Sequence, residues 1–365
     1  MRGNKALIIF AGGVLGLLAI VLVQLGNPPN MGVCIACFLR DIAGALGLHR
    51  AAPVQYMRPE ILGLVLGAFG AALFTREFKV MGGSGTLARF ILAALAMIGM
   101  LVFLGCPIRL LLRLAGGDLN ALLGLAGLIP GVALGAWFLS LGFTLGRAAP
   151  QNKINGYLFP ALIFIFLLFL LFQSPFLFFS KEGPGSQHAL LLISLGAGLV
   201  IGILAQRSHL CMIGGIRDFI LLRDFHLLYG FVALFVVALL GNLVNGNFQP
   251  GFAGQPVAHS DGLWNFLGMV LGGWGLVLLG GCPLRQLVAA SEGNTDCAVT
   301  VLGFLAGAAF AHNFGLAAGP KGVPLAGQVA VLTGLLIIFV IAYFNSKIPG
   351  RKSSAQGVSS NGQRS

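Results

Sequence analysis

Along most of the chain, long uncharged stretches alternate with short polar ones. Residues 6–26 hold no charged side chain over 21 positions. As a helix that run rises roughly 31 Å, about the thickness of a bilayer's hydrocarbon core. Nine comparable runs follow, at 60–75, 87–105, 119–145, 156–179, 189–206, 226–246, 263–281, 297–317 and 325–345. The pattern predicts an all-α integral membrane protein with about ten transmembrane helices, the shortest of them at 60–75. Arg2 and Lys5 give the first run a basic start like that of a signal peptide. Its apolar core is too long for one, however, and no small-residue cleavage site follows it. It is expected to stay as a membrane helix. The stretch 346–365 is rich in Ser, Gly, Lys and Arg and is expected to be a disordered cytoplasmic tail, with 1–345 forming a single membrane domain.

Composition narrows the class. The chain is 57% hydrophobic and 9% charged, too few charges to cover a soluble surface. Its 55 glycines are about twice ordinary usage and lie inside apolar runs, where they suit close helix packing in lipid. The net charge of +12 does not point to nucleic acid, because the basic residues are spread between the spans. With ten spans and the N-terminus inside, 15 Lys and Arg fall on inner segments and 7 on outer ones. That bias puts both termini in the cytoplasm of a multi-pass inner-membrane protein.

The two halves of the chain resemble each other. Gly32-Val-Cys34-Ile-Ala-Cys37-Phe-Leu-Arg40-Asp41 is echoed 177 positions later by His209-Leu-Cys211-Met-Ile-Gly214-Gly-Ile-Arg217-Asp218. Leu104-Gly-Cys106-Pro107-Ile-Arg109 is echoed 176 positions later by Gly280-Gly-Cys282-Pro283-Leu-Arg285, and Gly117, Gly127 and Gly131 by Gly293, Gly303 and Gly307. Two unrelated motifs in one order at nearly one offset mark a duplication. Repeat one is read as 6–145, a linking helix as 156–179, repeat two as 189–317 and a final helix as 325–345. Five crossings separate the first spans of the two copies, so the repeat is inverted, an arrangement that sets a binding site near the membrane midplane.

The motif segments are too short to cross a membrane. Pro107 and Pro283 suit the first turn of a helix, where the missing N–H has no partner to lose. Four re-entrant half-helices are expected, at about 33–48, 106–115, 210–224 and 282–291. Non-helical backbone at that depth needs surrounding protein or a watery cavity, so the expected shape is an hourglass.

Cys34, Cys106, Cys211 and Cys282 occupy equivalent positions in the copies, whereas Cys37 and Cys297 do not. A cysteine at a helix N-terminus beside arginine can hold an anion, and its soft sulfur suits a sulfur or selenium ligand. The rival reading is that free cysteine is a small apolar packing residue. Arg109 and Arg285 follow their cysteines by one turn. They serve either a substrate pathway or lipid headgroups. Arg40, Asp41, Arg217 and Asp218 are expected to form a supporting network. Adjacent residues do not face one another on a helix, so each should seek a partner elsewhere.

Other candidates are weaker. Cys34-Ile-Ala-Cys37 matches a thiol–disulfide motif, but the second copy lacks the second cysteine. His209 could aid protonation beside Cys211. His312 reads as a hydrogen-bonded structural histidine, and Trp264 and Trp274 as interface or packing residues. The sequence has no compact zinc spacing and no phosphate-binding loop, so no metal, cofactor or enzymatic reaction is expected.

The paired Gly-Cys-Pro-x-Arg segments, with Cys-Ile-Ala-Cys-Phe-Leu-Arg-Asp and Ser-His-Leu-Cys-Met-Ile-Gly-Gly-Ile-Arg-Asp, resemble the YeeE/YedE family of sulfur-compound transporters. The likeness covers about 6–345 and is greatest to the YedE-like branch, proposed to import a selenium compound. It implies an inner-membrane hourglass that passes thiosulfate-like ions along central cysteines without lasting covalent bonds. It carries Cys106 and Cys282 onto central positions and Cys34 or Cys37 onto the mouth. A thiol-bearing cytoplasmic carrier protein is a further partner that it implies. The leading expectation is uptake of a small selenium- or sulfur-containing anion. The alternatives are a membrane thiol–disulfide oxidoreductase using Cys34 and Cys37, and a passive channel.

Overall fold

The computed structural model describes residues 5–347. Arg2 and most of the 346–365 tail lie outside the described residues. The described residues fold into fourteen α-helices with almost no sheet: α1 (Lys5–Gln24), α2 (Ile35–Ala45), α3 (Pro59–Phe74), α4 (Thr86–Phe103), α5 (Pro107–Ala115), α6 (Asn120–Ser140), α7 (Lys153–Leu171), α8 (Leu191–Ser208), α9 (Met212–Leu222), α10 (His226–Val244), α11 (Gly262–Leu278), α12 (Pro283–Ser291), α13 (Thr295–Asn313) and α14 (Leu325–Phe344). Among the described residues, ten spans are long and apolar enough to cross a membrane. The helices α2, α5, α9 and α12 have only 9 to 11 residues. They fall where half-helices are expected, each beginning one or two residues inside the expected start; α5 and α12 end at the expected residue, while α2 and α9 end two or three residues earlier.

The long helices pair by close backbone contact. Helix α6 lies on α11 and α13 on α4; α3 lies on α8 and α1 on α10. Glycine spacing explains these pairs. A Cβ at Gly131 would stand 2.5 Å from Val270 O, and one at Gly307 would stand 2.5 Å from Ala94 O. Only a bare glycine lets the backbones approach this closely. Gly131 and Gly307 are the equivalent glycines of the two halves, and they face α11 and α4, themselves equivalent. Helix α7 packs on α3, and α14 on α4 and α11.

Cross-links at the helix ends follow the same correspondence. Lys79 N donates to Glu292 O and Met81 N to Gly293 O. Gln249 N donates to Gly116 O and Gly251 N to Gly117 O. Each long loop is thereby stitched to the turn after a short helix of the other half. A two-residue strand pair, Met81–Gly82 with Ala149–Pro150, joins one of these loops to the segment before α7.

Candidate functional site

Two cysteine clusters form where the short helices begin. In the first, Cys34 is the N-cap of α2 and its sulfur accepts from Cys37 N at 3.3 Å. Cys106 is the N-cap of α5, with Pro107 opening that helix. Cys34 Sγ stands 2.8 Å from Cys37 Sγ and 3.8 Å from Cys106 Sγ. All three thiols are free and buried.

Arg109, in the first turn of α5, lies against this cluster. Its Nη1 is 3.5 Å from Cys37 Sγ and also donates to Leu104 O. Nε donates to Asn30 O at 3.1 Å and Nη2 to Val257 O at 2.9 Å. The side chain is wholly buried, so it does not reach to headgroups. No carboxylate lies within ion-pair distance of it among the described residues. Leu104 has left-handed backbone (φ 62°) where the second half has Gly280 (φ 90°). A leucine adopts that conformation at a cost of about 1–2 kcal/mol.

The surrounding charges are paired. Asp41 accepts from Arg40 Nη2 and from Arg58 Nε, each at 2.7 Å, and all three residues are buried. The expectation that Arg40 would avoid its sequence neighbour is corrected here. The arginine is long enough to turn back, and Nε and Nη2 converge on one carboxylate oxygen. Arg217 does the same with Asp218 in the second half, at 2.8 Å. Arg113, one turn beyond Arg109, is bonded to Asp118 at 2.6 Å.

The second cluster repeats the first with fewer thiols. Cys211 caps α9 by accepting from Gly214 N at 3.3 Å, and also accepts from Cys282 N at 3.3 Å. Cys282 is the N-cap of α12, ahead of Pro283. Gly214 stands where Cys37 stands in the first half. Arg285 is held by Glu292 through two bonds of 3.1 and 3.0 Å, and its side chain is 25% exposed. His209 is exposed at the end of α8 and makes no hydrogen bond to Cys211 among the described residues. Cys297 is buried in the first turn of α13, its amide bonded to Asn294, apart from both clusters.

A polar cavity of about 300 Å³ is lined in part by Gln24, Asn30, Asn242, Asn247, Gln249 and Gln255. Asn30 connects it to Arg109. No group of three or more His, Cys, Asp or Glu side chains could hold a metal ion among the described residues. His312 departs from the expected hydrogen-bonded role, since its Nε2 is buried without a partner. Its ring lies 4.6 Å from that of His49, whose Nε2 is already engaged with Arg40 O. Trp274 is buried and stacks on Phe138.

Three site residues were not singled out from the sequence: Asn30, Arg58 and Glu292. Glu292 follows Arg285 by two helical turns, a spacing that could have marked it. Asn30 and Arg58 reach the site through the fold and carry no local signal.

Residues 207–349, which contain the whole second cluster, match the family described as sulphur transport. The chain is also 29% identical over 109 residues to the thiosulfate transporter TsuA of Escherichia coli (strain K12), over 29% of this chain and 29% of that protein's length. The likeness to the sulphur-transport family thus lies in the second half of the chain, with the matched segment beginning just ahead of the Cys211 cap.

Proposed function

We propose that this protein transports a small sulfur-containing anion, of which thiosulfate is the type, inward across the cell inner membrane. The observation that carries this reading is Arg109, a buried guanidinium without a carboxylate, set against three thiols. A buried, unneutralised cation is costly unless an anion visits it. The polar cavity above Asn30 is the outer approach. Cys34, Cys37 and Cys106 form the outer station, and Cys211 and Cys282 the inner one. The two halves are inverted copies, 6–145 and 189–317, joined by the helix at 156–179. Both termini are cytoplasmic, as the charge bias favours.

Conduction needs sites weak enough to release what they hold. A thiol offers a soft, polarisable contact, and several in series suit passage better than one tight cage. Selenium-containing anions differ little from sulfur ones in size and softness and are a second substrate class. A thiol-bearing cytoplasmic protein is the proposed acceptor. The thiol–disulfide alternative at Cys34 and Cys37 has no counterpart at Cys211, because Gly214 replaces the second thiol.

The test is uptake of radiolabelled thiosulfate and selenite by proteoliposomes holding the purified protein, with Cys106→Ala and Cys282→Ala in parallel. Uptake of thiosulfate that falls at least about tenfold in each variant is expected. Uptake indifferent to both substitutions would sink the cysteine pathway and favour a passive channel.

A further inference from the structure

The two stations have equivalent sequences but unequal charge. Around the first, four buried guanidiniums (Arg40, Arg58, Arg109 and Arg113) meet two paired carboxylates, Asp41 and Asp118. A third buried carboxylate, Glu60, bonds to Asn27 and Ser194 rather than to a cation. Around the second, each arginine has its own acid: Arg285 with Glu292, and Arg217 with Asp218. The position equivalent to Glu292 is Gly116. A Cβ there would collide with Asn30 Oδ1, so Asn30 occupies the space a carboxylate would need. The backbone carbonyl of Asn30 is what Arg109 Nε bonds instead.

We infer that Glu292 is an affinity-setting residue of the second cluster: it occupies the Arg285 guanidinium and so makes this cluster a station of release, while Arg109, facing Asn30, makes the first a station of capture. This rests on the transport reading above. The asymmetry does not choose the net direction of flux, which the gradient sets. It makes the apparent affinity for the anion unequal on the two faces. An arginine already held by two charge-assisted bonds has little to offer a passing anion, whereas one satisfied by backbone carbonyls keeps its full charge.

The test is binding of radiolabelled thiosulfate to the purified full-length protein by equilibrium dialysis. Arg109→Gln should weaken binding about tenfold or more. Adding Glu292→Gln to that variant should restore most of the lost affinity, because Arg285 is then free. Removing Arg285 as well, by Arg285→Gln, should abolish the recovery. Glu292→Asp alone should behave as the wild type. A monodisperse Arg109→Gln/Glu292→Gln protein that binds no better than Arg109→Gln would overturn the inference. Should that variant not fold, Glu292→Gln alone in vesicles decides. A lower KM with a lower maximal rate is expected, and an unchanged KM overturns the inference. If the wild type neither binds nor transports thiosulfate or selenite, the transport reading itself fails, and this inference with it.

Discussion

Asp41 is the residue on which the first cluster's scaffold turns. It sits in α2 and holds Arg40 from its own helix and Arg58 from the residue before α3. Arg58 in turn donates to Gln187 O and Pro184 O in the segment before α8. One carboxylate thus binds three parts of the chain. Asp41→Asn would leave two guanidiniums buried without a counter-charge. Such a loss costs about 3–5 kcal/mol. The variant should therefore unfold at clearly lower temperature in detergent than the wild type, and a thermal scan of the purified protein checks this. Equal melting temperatures would show that the network is not structural. The sequence marked Arg40 and Asp41 as a network. It gave no sign of Arg58, because a contact across 17 positions depends on where α3 begins.

At the scale of elements, the short helices are defined by their starts. Proline opens α5 and α12, while a cysteine sulfur caps α2 and α9. Both devices act within a few residues, so these four helices were legible from the sequence. The long helices depend instead on glycine contacts with particular partners. Gly307→Leu should drive α13 away from α4, where the space beside Ala94 admits no side chain. Gly131→Leu should do the same to α6 against α11. Each variant is expected to give markedly less monodisperse protein on gel filtration. Gly70→Leu is the control, since a Cβ there meets nothing within 4 Å. If Gly307→Leu and Gly70→Leu behave alike, close glycine packing is not what joins these helices.

Over the whole molecule, the proposed topology takes the ten candidate spans among the described residues as ten crossings, an even number that sets both ends of the chain on one membrane face. On the proposed reading that face is the cytoplasmic one, because it carries the excess of basic residues. A green fluorescent protein fused to the C-terminus should therefore fluoresce, and an alkaline phosphatase fused there should be inactive. The opposite pair of results would reverse the orientation, and with it the assignment of capture and release stations to outer and inner faces.

The amino-acid pattern alone determined what local chemistry can determine. Runs of apolar residues fix the spans, because lipid admits only helices or closed barrels. The Cys-Pro-x-Arg and Cys-x-x-Cys or Cys-x-x-Gly segments fix the short helices, because caps and prolines act at short range. The tertiary structure decided which groups meet. Cys34 and Cys106 are 72 positions apart, yet their sulfurs stand 3.8 Å from each other. Arg109 and Arg285 occupy equivalent places in the motif, yet one is left without a carboxylate and the other is held by Glu292. That difference lies in the space beside Gly116, which Asn30 fills. No local pattern encodes it, because charge balance at a buried site depends on every chain segment packed around it.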